Sequence, residues 1–233
     1  MNARELGFVE VEAFPAADGV SLTFSQEQKE EQQRSSTIPL YWNIPYQRNP
    51  FFTGREALLP HLREMLTRDG ALALVQSQHP SLAISGLGGI GKTQTAVEYA
   101  YCYHQVYEAV FWIKADTREN LLMDFMAIAM LLDLVEKSEK EPYRAINAVK
   151  RWLKDHRNWL LILDNADDLA AVCDILPLQG QGHTLLTTRA TALGRLAKRV
   201  EIETMEADEG ALFLLRRIGI LETQDALHHA PQA

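Results

Sequence analysis

Cysteine is scarce: the 233 residues include only two, Cys102 and Cys173. They stand far apart, form no CxxC pair and have no histidine at metal-ligand spacing, which excludes a disulfide framework and a cysteine-based zinc site. Both fall in apolar stretches and are expected to be reduced core thiols. Long hydrophobic runs are missing too. No stretch approaches the roughly 18 apolar residues of a membrane span, and no basic segment leads into an apolar run at the N-terminus. The expectation is a soluble, cytoplasmic chain with no membrane partner. Positive charge is in deficit, with 23 Lys and Arg against 31 Asp and Glu and a formal charge of -8. Such a chain has no general attraction for nucleic acid, and none is expected as a partner. Internal repeats are also absent. What is present is an ordinary globular composition, 47% apolar and 8% aromatic, and a length suited to one α/β domain plus some extra sequence.

From Met1 to Ile44 the sequence shows no sustained period. It mixes an apolar patch, Phe8 to Phe14, with a polar run, Gln26 to Arg34, and reads as a tail or linker. After Pro45 helical and strand patterns alternate. Arg55 to Leu66 is helical in composition, and Ser81 to Ser85 is a short apolar strand running into glycines. Lys92 to Tyr103 places Ala96, Ala100 and Tyr103 on one helical face. Ala109 to Ala115, Trp159 to Leu163 and His183 to Thr188 read as further strands, and Val200 to Met205 alternates apolar and acidic residues as an edge strand does. Leu121, Phe125, Ile128 and Leu132 mark one intervening helix; Ile146, Val149 and Leu153 mark another, and Asp208 to Arg217 forms the last. Continuously apolar strands alternating with helices predict a mainly parallel, five-stranded sheet covered on both faces: an α/β three-layer sandwich.

Between the first of these strands and its helix lies Gly86-Leu-Gly-Gly-Ile-Gly-Lys92-Thr93, a complete GxxxxGK[ST] phosphate-binding loop in the context the motif requires. Gly86, Gly88, Gly89 and Gly91 let the backbone wrap around a polyphosphate, with Ile90 and Gln94 completing the expected nucleotide-binding set. The helix N-terminus adds its partial positive charge. Lys92, outside the core by this reading, is expected to reach the β- and γ-phosphates, and the Thr93 hydroxyl to bind magnesium. WLLILD supplies the second magnesium ligand, Asp164, directly after an apolar strand. Asp167 or Asp168 suits the N-cap of the next helix. The position after Asp164, where many such ATPases hold a second acid, is Asn165, which orients water but accepts no proton. Slow hydrolysis, or a base from elsewhere such as Asp167, follows. ATP or ADP with Mg2+ is the expected ligand.

Three further segments accompany this loop: Arg48-Asn-Pro-Phe-Phe-Thr-Gly-Arg-Glu56, Leu163-Asp-Asn-Ala-Asp-Asp168 and Leu185-Leu-Thr-Thr-Arg189. Together they resemble the nucleotide-binding domain of the NB-ARC branch of the STAND ATPases, and LDNADD looks like its bacterial and fungal repeat-containing members. The resemblance covers about Pro45 to Arg217. It implies that Phe52, Gly54 and Arg55 lie against the adenine, and that Arg189 reads the γ-phosphate from a strand lying between the phosphate-loop strand and the Asp164 strand. It places Lys92, Asp164, Asn165 and Arg189 in the hydrolytic machinery. It further implies an ADP-closed, ATP-assembled regulatory switch that self-associates on activation and senses an unknown ligand through domains beyond this sequence. Residues 45–220 would form the nucleotide-binding domain and 221–233 the start of a linker to a helical lid, making the chain an excised domain. An AAA+-like motor or loader and an inactive nucleotide-binding module remain open. A small-molecule kinase would need an arginine-rich lid, and the Glu136 to Arg157 region only scatters its charges around an amphipathic helix.

Overall fold

The computed structural model describes residues 39–72, 81–134, 142–176 and 180–221. The patch at Phe8 to Phe14, the run at Gln26 to Arg34 and residues 222–233 lie outside the described residues. The elements are β1 (Tyr41–Trp42), α1 (Leu58–Leu72), β2 (Ser81–Ser85), α2 (Lys92–Cys102), β3 (Ala109–Lys114) and α3 (Arg118–Leu131). They continue with α4 (Pro142–Asp155), β4 (Arg157–Asp164), α5 (Leu169–Ile175), β5 (Gln181–Thr188), β6 (Lys198–Glu201) and α6 (Ala207–Arg217).

All strand pairs are parallel, in the order β1-β3-β4-β5-β2-β6. Among the described residues the sheet therefore has six strands, one more than expected. The addition is β1, where Tyr41 and Trp42 pair with Ala109 and Val110, ahead of the boundary expected at Pro45. Two residues carry no periodicity, so only the pairing reveals this strand. β6 lies at the opposite edge, as its alternating pattern implies.

Successive strand residues face opposite sides, and each side is apolar for its own reason. Phe111, Ile113, Leu161, Leu163 and Leu186 point into a core closed by α3, α4 and α5 through Leu121, Phe125, Val149 and Val172. Val110, Trp112, Leu160, Ile162 and Leu185 point the other way, against Leu62 and Leu66 of α1 and Ala96 and Tyr99 of α2. This is why β3 and β4 read as unbroken apolar runs. Capping fixes the helix starts: Thr117 Oγ1 accepts from Asn120 N at 3.1 Å, and Asp168 Oδ1 accepts from Ala170 N and Ala171 N, both at 3.1 Å. Asp168, not Asp167, takes the N-cap duty. Both cysteines are free and exposed rather than in the core, Cys102 in the last turn of α2 and Cys173 on the outer side of α5. Their sequence neighbours are apolar, but at these helix positions the thiols face away from the sheet.

The register places the C-terminal ends of β2, β5 and β4 side by side: Ser85 pairs with Thr188, and Leu163 with Leu186. The chain leaves β2 for a helix and a strand on the far side of β4, so the crevice above these ends is a topological switch point, where open α/β sheets bind ligands.

Candidate nucleotide site

Above β2 the glycine-rich segment turns into α2. Gly86 has φ 152°, and a Cβ there would lie 2.8 Å from the Ile202 carbonyl oxygen, so a larger residue would displace the end of β6. Gly91, at φ 100°, is the N-cap of α2 and offers no side-chain acceptor. The first-turn amides of α2 have no intrahelical acceptor either, and the result is an anion cradle at a helix N-terminus. Ile90 packs into the α1–α2 core, Gln94 is exposed, and nothing lies within 4 Å of a Cβ built on Gly88 or Gly89.

Lys92 is more enclosed than its sequence position implied, at 9% exposure. Its ammonium donates to the Gly86 carbonyl at 2.9 Å and the Leu87 carbonyl at 2.8 Å, holding the loop closed around itself. Burial pushes its pKa down. Asp167 and Asp164 oppose that shift and Arg189 adds to it, so all three charges act on the ammonium.

Thr93 Oγ1 donates to Asp164 Oδ1 at 2.8 Å, bringing together the two residues expected at magnesium. Asp164 is 7% exposed, and Thr187 Oγ1 also donates to its Oδ1, at 2.6 Å. The same Thr187 oxygen accepts from Asn165 N at 2.8 Å. Thr187 thus orients the carboxylate from the neighbouring strand, a role sequence reasoning missed; the Thr-Thr pair at the end of β5 was the available signal. Among the described residues no cluster of three or more His, Cys, Asp or Glu surrounds a metal position. The donor set still fits magnesium, a hard cation held by one or two carboxylates with water and phosphate oxygens filling its shell. Thr93 and Asp164 would hold it.

Asn165 has φ 62°, a left-handed conformation asparagine tolerates, and its side chain is exposed at the mouth of the crevice. Both carboxylate oxygens of Asp167 are engaged. Its Oδ1 accepts from Arg189 N at 2.7 Å and Thr188 Oγ1 at 3.0 Å, and its Oδ2 from Arg189 Nε at 2.6 Å. Arg189 Nη2 lies 2.6 Å from that same Oδ2. Burial pushes the Asp167 carboxyl up, but the hydrogen bonds from Arg189 and Thr188 outweigh it and leave the group below its usual range. A carboxylate so engaged is a poorer proton acceptor than a free one, which weighs against the expectation of Asp167 as the base.

The segment before α1 reaches the site by its side chains. Arg55 Nη2 donates to the Glu203 carbonyl at 3.0 Å, and its Nη1 lies 2.6 Å from where a Gly91 Cβ would stand. Desolvation lowers the Arg55 pKa, and Glu209 opposes the shift. Gly54, at φ 83°, leaves room for Glu209 of α6, and Arg216 Nη1 of α6 donates to Thr53 Oγ1 at 3.1 Å. Phe52 packs against the α1–α2 core and lines a cleft of about 770 Å³ with Arg48, Glu98, Cys102 and Tyr103. No phosphate-loop residue lines that cleft, so Phe52 and Arg55 face different surroundings. Burial and then the charges of Asp164 and Asp116 raise the pKa of Tyr46, so its phenol lies in the field of the Asp164 carboxylate.

The family model described as the NB-ARC domain matches residues 62–223. A nucleotide-binding leucine-rich repeat (NLR)-like protein of Hyaloscypha variabilis is 29% identical over 171 residues, covering 64% of this chain and 17% of its own length. The regulatory protein AfsR of Streptomyces griseus is 27% identical over 180 residues, covering 73% of this chain and 18% of its own. The chain thus spans less than a fifth of either relative. Among solved structures, the ORC2 protein of Aeropyrum pernix aligns with a TM-score of 0.47 at 14% identity, covering 78% of this chain and 54% of that one. No helix among the described residues is long and apolar enough to cross a membrane.

Proposed function

Because the chain belongs to the NB-ARC family of P-loop nucleotide-binding modules, we propose that it is the nucleotide switch of a larger signalling ATPase, binding ATP or ADP with magnesium and hydrolysing ATP slowly. The observation that carries this reading is the convergence of Lys92, Thr93 and Asp164 at the N-terminus of α2, with Arg189 close enough to act on the lysine. Lys92 and the loop amides bind the β- and γ-phosphates. Thr93 and Asp164 hold the magnesium, which when bound would neutralise phosphate charge. Arg189, at the end of β5, distinguishes ATP from ADP. Arg55 lies against the phosphate loop at Gly91, Gly54 and Arg55 take the base side of the site in this reading, and Arg216 and Glu209 tie that segment to α6.

Two features of the chain support slow turnover. Asn165 supplies only the orienting part of general-base assistance, which is commonly worth about a hundredfold or more in rate. Asp167 is held by Arg189 and Thr188 and does not replace it. A slow enzyme suits a switch, whose output is a lasting nucleotide state rather than a product. The regulatory and NLR-like descriptions of the relatives point the same way. Self-association in the ATP state and a sensed ligand are proposed for the longer protein. The same two features favour a second reading, a binding module with no turnover.

Single-turnover phosphate release, measured alongside titration of ATP and ADP with magnesium, tests the proposal. Binding of both nucleotides with turnover far slower than one per second is expected. Tight binding with no magnesium-dependent release would leave the turnover-free module, and absence of binding would overturn both readings.

A further inference from the structure

The contacts of Asp167 with Arg189 are not explained by capping or by catalysis. A solvent-exposed arginine–aspartate pair is ordinarily weak, because two long side chains must be immobilised for a screened attraction. This pair is built differently. The carboxylate is itself located by the Arg189 backbone amide at 2.7 Å and the Thr188 hydroxyl at 3.0 Å, both at the fixed end of β5. It then receives Nε and Nη2 of the same arginine, both at 2.6 Å. The side chain is thereby curled onto its own strand end, although 64% of it is exposed to solvent. Among the described residues Nη1 makes no hydrogen bond to protein, and the charge of Arg189 acts on Lys92.

We propose that Asp167 is a positioning residue: it fixes the Arg189 guanidinium in one orientation so that its Nη1 edge is presented to the terminal phosphate of a bound nucleoside triphosphate. Arginine is suited to this because its planar fork serves two anions on different edges. Asp167 occupies the Nε edge, so the protein itself orders the long side chain and little rotamer freedom is lost on binding. The diphosphate has no γ-phosphate to meet the prepared edge. Positioning therefore favours ATP alone. Asp167 also offsets the repulsion between Arg189 and Lys92, which would otherwise drive the arginine toward solvent. The inference rests on the reading of Arg189 as the triphosphate sensor and deepens it.

Isothermal titration with ATP and with ADP, both with magnesium, on the parent, Asp167→Ala, Asp167→Asn, Arg189→Ala and the Asp167→Ala/Arg189→Ala double variant tests it. Asp167→Asn keeps an acceptor for the Arg189 amide and Thr188 while removing the charge, and covers the case in which alanine unfolds the strand end. Both Asp167 variants should lose roughly five- to tenfold in ATP affinity, the freedom of one long side chain, with ADP affinity unchanged. The double variant should bind ATP no more weakly than Arg189→Ala alone. Equal losses for ATP and ADP, or ATP affinity equal to or above the parent's, would overturn the positioning role. If instead Arg189→Ala binds ATP like the parent, the sensor reading fails and this inference fails with it.

Discussion

Lys92→Ala separates binding from folding. Among the described residues the ammonium bonds to the loop carbonyls of Gly86 and Leu87, at 2.9 and 2.8 Å. It is buried, and burial depresses its pKa, so the folded chain holds this charge at a cost. Alanine relieves that cost and loses two charge-assisted hydrogen bonds, each worth about 1.5–3 kcal/mol. The two effects oppose each other, and the net change in stability should be smaller than the loss of the bonds alone. Binding has no such compensation. A charge-assisted contact to phosphate is worth about 1.5–3 kcal/mol, or about ten- to a hundredfold in affinity. Titration calorimetry with ATP and ADP should show that loss for both, since the lysine reaches the β-phosphate they share, while thermal melting without nucleotide still shows a cooperative transition. The parent should carry a pH signature. A lysine depressed in the free protein and restored by phosphate takes up a proton on binding, so affinity falls as pH rises through the free-state pKa, below the ordinary value of about 10.4. Lys92→Ala should lack that decline. Undiminished affinity in the variant, or a parent affinity flat up to about pH 10.4, would refute the assignment.

Arg189→Ala should weaken ATP binding about tenfold or more while leaving ADP almost untouched, a split that calorimetry reads directly. Asn165→Asp should raise the single-turnover rate, whereas Asp164→Asn should abolish magnesium-dependent turnover; a variant no faster than the parent would show that proton transfer does not depend on this position. Gly182→Ala probes the fold alone. A Cβ there would collide with the Trp159 ring, which is pinned by its Nε1 donating to the Leu153 carbonyl at 2.7 Å. Chemical denaturation should show a loss of about 1–3 kcal/mol with nucleotide affinity at the parent's value.

The extent to which the sequence revealed these features follows from their locality. GxxxxGK[ST] binds phosphate through consecutive residues, so its pattern carries its geometry, and the glycine-to-helix turn appears where the motif requires it. β2 matches its apolar run residue for residue, and β3 and β4 stand out because parallel strands are covered on both faces. The last strand ends early, at Glu201. Ile202 N still donates to the Ser85 carbonyl at 2.9 Å, but the next carbonyl, Glu203, serves Arg55 instead of a strand. α1 starts at Leu58 rather than Arg55, because the left-handed Gly54 and the turn closed by Leu58 N on the Arg55 carbonyl at 3.1 Å precede it. The pairings Thr187 with Asp164 and Arg189 with Asp167 depend on how β4 and β5 align. Periodicity does not determine that register, so these partners were invisible while each residue alone looked plausible for another duty.

The claim on which the rest depends is that this crevice holds an adenine nucleotide. Denaturing the purified chain and separating the released small molecules by ion-exchange chromatography tests it most directly. An adenine nucleotide near one per chain, predominantly ADP, with markedly less released from Lys92→Ala prepared identically, is the predicted result. A chain that releases no nucleotide and fails to retain ATP or ADP after incubation with magnesium would contradict it.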